Sequence, residues 1–170
     1  MAKHILSVLV ENYAGVLSRV AGLFSRRGFN IDSLAVGVTE NPDVSRITIV
    51  VDSDEYTVEQ VSKQLNKLIN VIRVKKLEAS DSVSRELALI KVNANASTRS
   101  EIVQIVEIFR DKIVDVSKTT LTIEASGDAD KLKALEDMLQ QFGIKEIVRT
   151  GLISIERGNK YIKAKSYNEE

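Results

Sequence analysis

The sequence contains no cysteine, no tryptophan, a single histidine and a single proline among its 170 residues. Without thiols it has no disulfide framework, no cysteine nucleophile and no thiolate metal site. His4 has no second imidazole to converge with, so we expect a solvated side chain at the start of a strand rather than a metal ligand. We also find no convergent nucleophile, carboxylate pair or phosphate-binding loop, and therefore predict neither catalytic nor metal-binding residues.

Net charge and long apolar runs are also missing. Lys plus Arg and Asp plus Glu each total 24, which gives a formal net charge of zero and argues against duplex DNA or an anionic membrane as a partner. No apolar run approaches the roughly 20 residues that span a bilayer, and Met1-Ala2-Lys3-His4 shows no signal-peptide pattern. We expect a soluble, cytoplasmic protein whose partner is a protein or a small molecule.

What the chain does contain is one pattern of elements, repeated. Apolar periodicity predicts a first strand at residues 5–10 and a helix from Val16 onward. The elements that follow are predicted as strands at 30–39 and 45–52, a helix at about 57–69 and a strand at 71–74. This βαββαβ order is typical of a ferredoxin-like domain, in which both helices cover one face of a four-stranded antiparallel sheet. The other face of the sheet must be covered elsewhere.

The second half repeats that order after a polar stretch. Its predicted elements are a strand at 87–92, a helix through Phe109, strands at 113–117 and 120–125, a helix between Asp128 and Gly143, and a strand at 144–153. We therefore predict an α+β fold of two ferredoxin-like βαββαβ domains in tandem. Their predicted bounds are 1–77 for the first domain, 78–84 for the linker, 85–155 for the second domain and 156–170 for a polar tail.

The loop between the first strand and the first helix has the features of a ligand site. Asn12-Tyr13-Ala14-Gly15 leads into the first helical turn, whose unpaired backbone N–H groups and partial positive charge favour a carboxylate. A glycine allows close approach, and the Asn12 amide can bind the charged ends of an amino acid. The alternative is that Asn12 only caps the helix and Gly15 only permits a turn. The equivalent loop at 93–98 has no glycine, so we assign ligand binding to the first domain.

Several longer motifs point to a known family. Gly15-Val16-Leu17-Ser18-Arg19-Val20 and Arg27-Gly28-Phe29-Asn30-Ile31-Asp32 closely resemble the opening ACT domain of the small regulatory subunits of acetohydroxyacid synthase, also called acetolactate synthase. The resemblance continues through nearly the whole chain and fades over the last dozen or so residues. The other segments that carry it are 5–12, 23–34, 45–49, 64–71, 85–92, 108–110 and 114–116.

The resemblance implies a non-catalytic regulatory subunit. Such subunits stimulate a large catalytic subunit that condenses two 2-keto acids in branched-chain amino-acid synthesis, and most confer feedback inhibition by valine. Thiamine diphosphate, magnesium and flavin are expected on the catalytic subunit and no cofactor on this chain. ACT domains pair side by side, so a homodimer is expected.

The resemblance also implies which residues bind the effector, at the seam between two protomers. Asn12, Ala14, Gly15, Val16 and Leu17 would come from one protomer. Asn30 and Ile31 would come from the other, and Leu34 could help to enclose a branched side chain. Asn30 has an alternative role as a strand-start residue that the backbone satisfies. Effector preference among valine, leucine and isoleucine stays open, because one methylene is worth only about 1–3 kcal/mol.

Other functions fit the residues less well. Arg27-Gly28-Phe29 begins like the aromatic strand of an RNA-recognition motif, but no further aromatic follows to stack bases, and no net basic charge would hold phosphate. An ACT-domain sensor that controls a different enzyme or a transcription system remains the alternative. Arg19, Arg26 and Arg27 are candidates for the surface that contacts the catalytic subunit, unless they form an ordinary solvated face.

Overall fold

The computed structural model describes residues 2–163 and divides into two compact units. The first contains residues 2–83 and 152–163, and the second contains Ser84–Gly151. In chain order the elements are β1 (Ala2–Glu11), α1 (Val16–Arg27), β2 (Ile31–Val38), β3 (Val44–Ser53), α2 (Glu55–Leu65), β4 (Val71–Leu77), β5 (Ser82–Asn93), α3 (Arg99–Ile108), β6 (Lys112–Val116), β7 (Thr120–Gly127), α4 (Ala129–Leu139), β8 (Ile144–Arg149) and β9 (Ile153–Glu156).

The first unit has the predicted ferredoxin-like sheet, with its strands in the order β2-β3-β1-β4. All three strand pairings are antiparallel, and β2 lies at an edge. Alternate residues of the central strands face the helices, as the period of two along a strand requires. The core contains Leu6, Val8, Val10, Ile47, Ile49 and Val51 from the strands, and Val16, Val20, Leu23, Phe24, Val58, Val61 and Leu65 from α1 and α2.

The opposite face of this sheet carries a smaller apolar cluster. Ile5 pairs with Val50 on one side and Leu77 on the other, so the three side chains share a face. Leu152 and Ile162 pack against them. Polar contacts fix the same segment, since the Lys75 ammonium lies 2.7 Å from the Glu156 carboxylate. The C-terminal segment therefore supplies part of the cover that this face requires.

The second unit repeats the architecture, with its strands in the order β6-β7-β5-β8. Its core again lies between the sheet and two helices. It contains Ala88, Ile90, Val92, Ala94, Leu121, Ile123 and Ala125 together with Ile102, Ile105, Val106, Leu132, Leu135 and Leu139. Two tandem ferredoxin-like domains, the fold predicted from the sequence, are thus present.

Several boundaries differ from the expected ones. Helix α2 ends at Leu65 rather than near residue 69, because the chain continues in tight turns in which the Leu68 amide bonds the Leu65 carbonyl. Strand β8 ends at Arg149, and Gly151 follows with a positive φ of 81°. The predicted linker region contains a 3₁₀ turn, Ala79–Asp81, and the first residues of β5.

The C-terminal residues also lie elsewhere than the predicted bounds would place them. Residues 152–163 group with the first unit, whereas the sequence assigned 152–155 to the second domain. Within the predicted polar tail, Lys160 Nζ lies 2.5 Å from an Asp81 carboxylate oxygen, and the Arg157 amide donates to the Asp81 carbonyl. The rest of that predicted tail, 164–170, lies outside the described residues.

Candidate functional site

The β1–α1 loop ends in an uncapped helix N-terminus. Gly15 is the N-cap of α1, has a φ of 89°, and no side chain accepts a hydrogen bond from the first turn. A Cβ built on Gly15 meets no atom within 4 Å, so the space above this residue is open. Amide donors and the helix dipole together favour an anion at this position. The geometry therefore allows a ligand carboxylate to approach the backbone closely.

Asn12 anchors this loop to a neighbouring turn. Its backbone amide donates to the Asp43 carbonyl at 2.8 Å, and its Nδ2 donates to the Pro42 carbonyl at 2.8 Å. Because Gly15 is the helix N-cap and has no side-chain partner, the alternative that Asn12 caps α1 is wrong. Asn12 is exposed, so its carboxamide oxygen can also meet a ligand.

The other predicted loop residues differ in exposure. Ala14 is exposed, and Leu17 keeps 43% of its surface accessible. Val16 is only 4% exposed and belongs to the core. The Val16 side chain is therefore not available to a ligand, and its backbone N–H donates to the Tyr13 carbonyl at 3.5 Å. Leu17 can offer both its backbone N–H and its side chain.

The remaining predicted residues lie at the start of β2. A tight turn ends α1 there, because Gly28 adopts a left-handed conformation and the Phe29 amide donates to the Phe24 carbonyl at 3.1 Å. Asn30 follows; it is exposed and makes no hydrogen bond within residues 2–163. Ile31 and Leu34 are half-buried and pack against the core of their own domain. Asn30 is thus free for a ligand, and Ile31 and Leu34 present only part of their surfaces.

Within one chain the two halves of the predicted site lie apart. Asn12 contacts the turn at the C-terminal end of β2, whereas Asn30 precedes its N-terminal end. Strand β2 has eight residues, which at about 3.3 Å per residue separates its ends by more than 20 Å. A single chain therefore does not bring Asn12 and Asn30 to one ligand.

Among residues 2–163, no three His, Cys, Asp or Glu side chains group so that they could hold a metal ion. The His4 side chain is 11% exposed, and its Nε2 lies 3.1 Å from the Ser53 carbonyl. Its predicted solvated position is wrong, because little of the side chain is exposed and both ring nitrogens lie near protein oxygens, those of Ser53 and Glu55. No helix in this described range is long and apolar enough to cross a membrane.

Comparisons with known proteins cover both units. A family model described as the AHAS small subunit-like ACT domain matches residues 6–73, and one described as the small subunit of acetolactate synthase matches residues 85–158. The chain belongs to the acetolactate synthase small-subunit family. The ACT-domain match spans every residue of the predicted effector site.

Individual family members are similar over almost their full length. The acetolactate synthase small subunit of Mycobacterium leprae is 59% identical over 155 residues, which are 91% of this chain and 92% of that protein. A probable acetolactate synthase small subunit of Archaeoglobus fulgidus is 58% identical over 93% of this chain and 99% of its own length. The crystal structure of the Thermotoga maritima acetolactate synthase small subunit is 44% identical, with a TM-score of 0.88, and covers 94% of this chain and 100% of that one.

One part of the family's ACT domain was missed by the sequence reasoning. Asn70, which is 5% exposed, lies below the β1–α1 loop in the turn before β4. Its Nδ2 donates to Glu11 Oε2 at 2.7 Å and to the Tyr13 hydroxyl, and the Arg19 guanidinium donates to its Oδ1. Tyr13 in turn donates to Glu11 Oε2 at 2.6 Å. These four residues form what we call the Asn70 network.

Hydrogen bonding in the Asn70 network shifts two titrations. The bond from Tyr13, and then that from Asn70, lowers the pKa of Glu11. The same bond to Glu11 raises the pKa of Tyr13. Both shifts favour an ionised Glu11 that accepts from a neutral Tyr13 near pH 7.

No local pattern in the sequence links Asn70 to Glu11 across 59 positions, and only the pairing of β1 with β4 brings them together. Arg19 is thereby bound to Asn70, while Arg26 and Arg27 stay exposed in the last turn of α1.

Proposed function

We propose that this chain is the regulatory subunit of an acetolactate synthase, and that it stimulates the catalytic subunit and makes it sensitive to valine. Membership of the small-subunit family supports the assignment of a large catalytic partner. The observation that carries the sensor role is the open, uncapped helix N-terminus at Gly15. In this proposal the protein is cytoplasmic, and thiamine diphosphate, magnesium and flavin belong to the catalytic subunit.

Effector binding in this proposal uses two copies of the first domain. The exposed apolar side chains of the edge strand β2, Val36 at 48% and Val38 at 59%, favour pairing with another edge. Antiparallel pairing of two β2 strands places Asn30 of one protomer near the Asn12 loop of the other. The ligand would then lie between the two copies, which explains why neither chain holds a complete site.

The groups available match the chemistry of a small apolar amino acid. Backbone N–H groups from Gly15 to Leu17 would hold its carboxylate. Carboxamide oxygens of Asn12 and Asn30 can accept from its ammonium group. The partly exposed surfaces of Leu17, Ile31 and Leu34 would contact a branched side chain. These contacts favour an apolar amino acid whose carboxylate and ammonium groups are both unmodified.

Regulation follows from thermodynamic linkage. An effector that bridges two protomers stabilises the arrangement of the pair in which the seam is closed. If the catalytic subunit binds the closed and open arrangements with different affinity or activity, valine must alter its rate. The coupling needs no catalytic group on this chain.

Calorimetric titration tests the effector assignment. The purified chain, alone and in complex with its catalytic subunit, is titrated with L-valine, L-leucine and L-isoleucine, with D-valine as the matched control. We expect saturable heat with L-valine and much weaker binding of D-valine, because inversion at Cα misplaces either the ammonium group or the side chain. Absence of saturable binding of L-valine to both the free chain and the complex would contradict the proposal.

A second measurement addresses the partner. Affinity capture with the tagged chain from extracts of its own organism should recover the acetolactate synthase large subunit. Recovery of a different enzyme or a transcription factor in its place would assign this sensor to another target.

A further inference from the structure

The Asn70 network connects both sides of the β1–α1 loop to the buried carboxamide of Asn70. Glu11 and Tyr13 precede Gly15, and Arg19 follows it in α1. The Glu11 backbone amide also donates to the Asn70 carbonyl at 3.0 Å. The Asn70 side chain thus bonds to residues that lie just before Gly15 and to one that lies just after it.

The hydrogen-bonding capacity of the Asn70 carboxamide is well matched by these partners. Its two N–H donors serve Glu11 and Tyr13, and its oxygen accepts from Arg19. The positive guanidinium of Arg19 and the carboxylate of Glu11 bind opposite ends of the same amide, so their charges offset each other. Asn70 is the buried member of the network, whereas Tyr13 and Arg19 are exposed. A shift that breaks the bonds of Asn70 leaves a buried carboxamide unpaired, so these bonds favour a single geometry.

Apart from the two hydrogen bonds of Asn12 to the turn at Pro42 and Asp43, few other contacts fix the shape of the loop. Tyr13, Ala14 and Gly15 are exposed, and α1 has no side-chain cap. Tyr13 is 59% exposed, so its hydroxyl contributes to the network while most of its ring contributes nothing to the core. The position of the loop amides therefore depends on polar contacts more than on buried apolar area.

We propose that Asn70 and Tyr13 are positioning residues for effector binding, which hold the amides of residues 15–17 in the geometry that accepts a carboxylate. They act through the loop and do not touch the ligand. The inference rests on the proposed function for its ligand, but the state of the loop can be measured without one. Pre-organisation of this kind strengthens binding because less ordering remains to be done when the ligand arrives.

The test compares Tyr13→Phe with Tyr56→Phe. Both variants delete one hydroxyl from an exposed tyrosine, and Tyr56, 72% exposed on α2, makes no hydrogen bond through its side chain within the described residues. Hydrogen exchange of the Val16 and Arg19 amides is followed without ligand. The Tyr13 hydroxyl makes two hydrogen bonds, to Glu11 and from Asn70. Because loss of even one typical hydrogen bond gives about a fivefold change, we expect exchange at least about fivefold faster in Tyr13→Phe and no change in Tyr56→Phe.

The second readout is effector affinity in the complex with the catalytic subunit. The valine concentration for half-maximal inhibition should rise at least about fivefold in Tyr13→Phe and more in Asn70→Ala, while the melting temperature of Tyr13→Phe falls by no more than the few degrees that its two hydrogen bonds are worth. A merely structural role would lower the melting temperature without a selective change in valine response.

The two readouts separate failure of this inference from failure of the proposed function. Unchanged exchange of the loop amides in both Tyr13→Phe and Asn70→Ala overturns the positioning role, whatever the ligand. Faster exchange in a protein that does not bind valine would support the positioning of the loop and reject valine as its effector.

Discussion

Replacing Gly15 by Asp or by Asn isolates the charge at the centre of the proposed site. Gly15 has a φ of 89°, and a Cβ there meets no atom within 4 Å. Both replacements therefore fit sterically and share the same backbone strain, about 1–2 kcal/mol for a left-handed conformation. Asn and Asp are also the residues that tolerate this conformation best. The two variants have nearly the same shape and differ in one negative charge.

The size of the charge effect follows from Coulomb's law. A side-chain carboxylate at Gly15 lies beside the position proposed for the ligand carboxylate. Two like charges about 4 Å apart repel by about 4 kcal/mol at an effective dielectric of 20. Because Gly15 is exposed, solvent and salt screen much of this repulsion. We expect the remaining difference to exceed about 1.4 kcal/mol, which is a tenfold change in affinity.

The assay is inhibition of the reconstituted holoenzyme by valine, with melting curves of both variants. Gly15→Asp should lose valine sensitivity by at least about tenfold relative to Gly15→Asn, with similar melting temperatures and similar stimulation of the catalytic subunit. Retention of the parent's valine sensitivity by both variants would refute a carboxylate site at this helix N-terminus. Joint loss of stimulation and sensitivity in both would mean that Gly15 serves the fold.

Three further substitutions have expected outcomes. Asn30→Ala should weaken valine binding by about 1–3 kcal/mol without lowering the melting temperature, because Asn30 is exposed and has no partner within residues 2–163; unaltered affinity in calorimetry would remove it from the site. Lys75→Met leaves the Glu156 carboxylate, 9% exposed, without its ammonium partner and should destabilise the first unit by about 1–3 kcal/mol in urea unfolding. Lys131→Met likewise removes the ammonium partner of Asp111, which is 3% exposed and 2.8 Å from Lys131 Nζ, and should destabilise the second unit by about 1–3 kcal/mol. Faster hydrogen exchange in the second unit of Lys75→Met, or in the first unit of Lys131→Met, would contradict these expectations.

Local patterns in the sequence were sufficient to predict the order of elements and the core. Alternation at Leu6, Val8 and Val10 identifies β1 and the face that it buries, and helical spacing identifies Val16, Val20 and Leu23. The expected dimer and the expected valine effector came from the resemblance to a known family, and both stay predictions. Gly15 was predicted as a ligand-binding residue because a glycine at the start of a helix combines conformational freedom with free amides.

Contacts between distant residues were not predictable in the same way. Glu156 and Lys160 are charged residues in a polar segment, a pattern typical of a solvated tail, yet Glu156 is nearly buried against Lys75. The sequence around Asn70 indicates only a turn residue, although its side chain forms hydrogen bonds with Glu11, Tyr13 and Arg19. Such roles depend on strand pairing and chain return, which no short window of sequence contains.

The most direct test of the account is the rate of acetolactate formation by the purified catalytic subunit, measured with and without this chain and with and without L-valine. We predict that saturating chain raises the rate and that valine lowers it again, while D-valine leaves it unchanged. A catalytic subunit whose rate does not respond to the chain, or a stimulated complex that is indifferent to L-valine, would contradict the regulatory role proposed here.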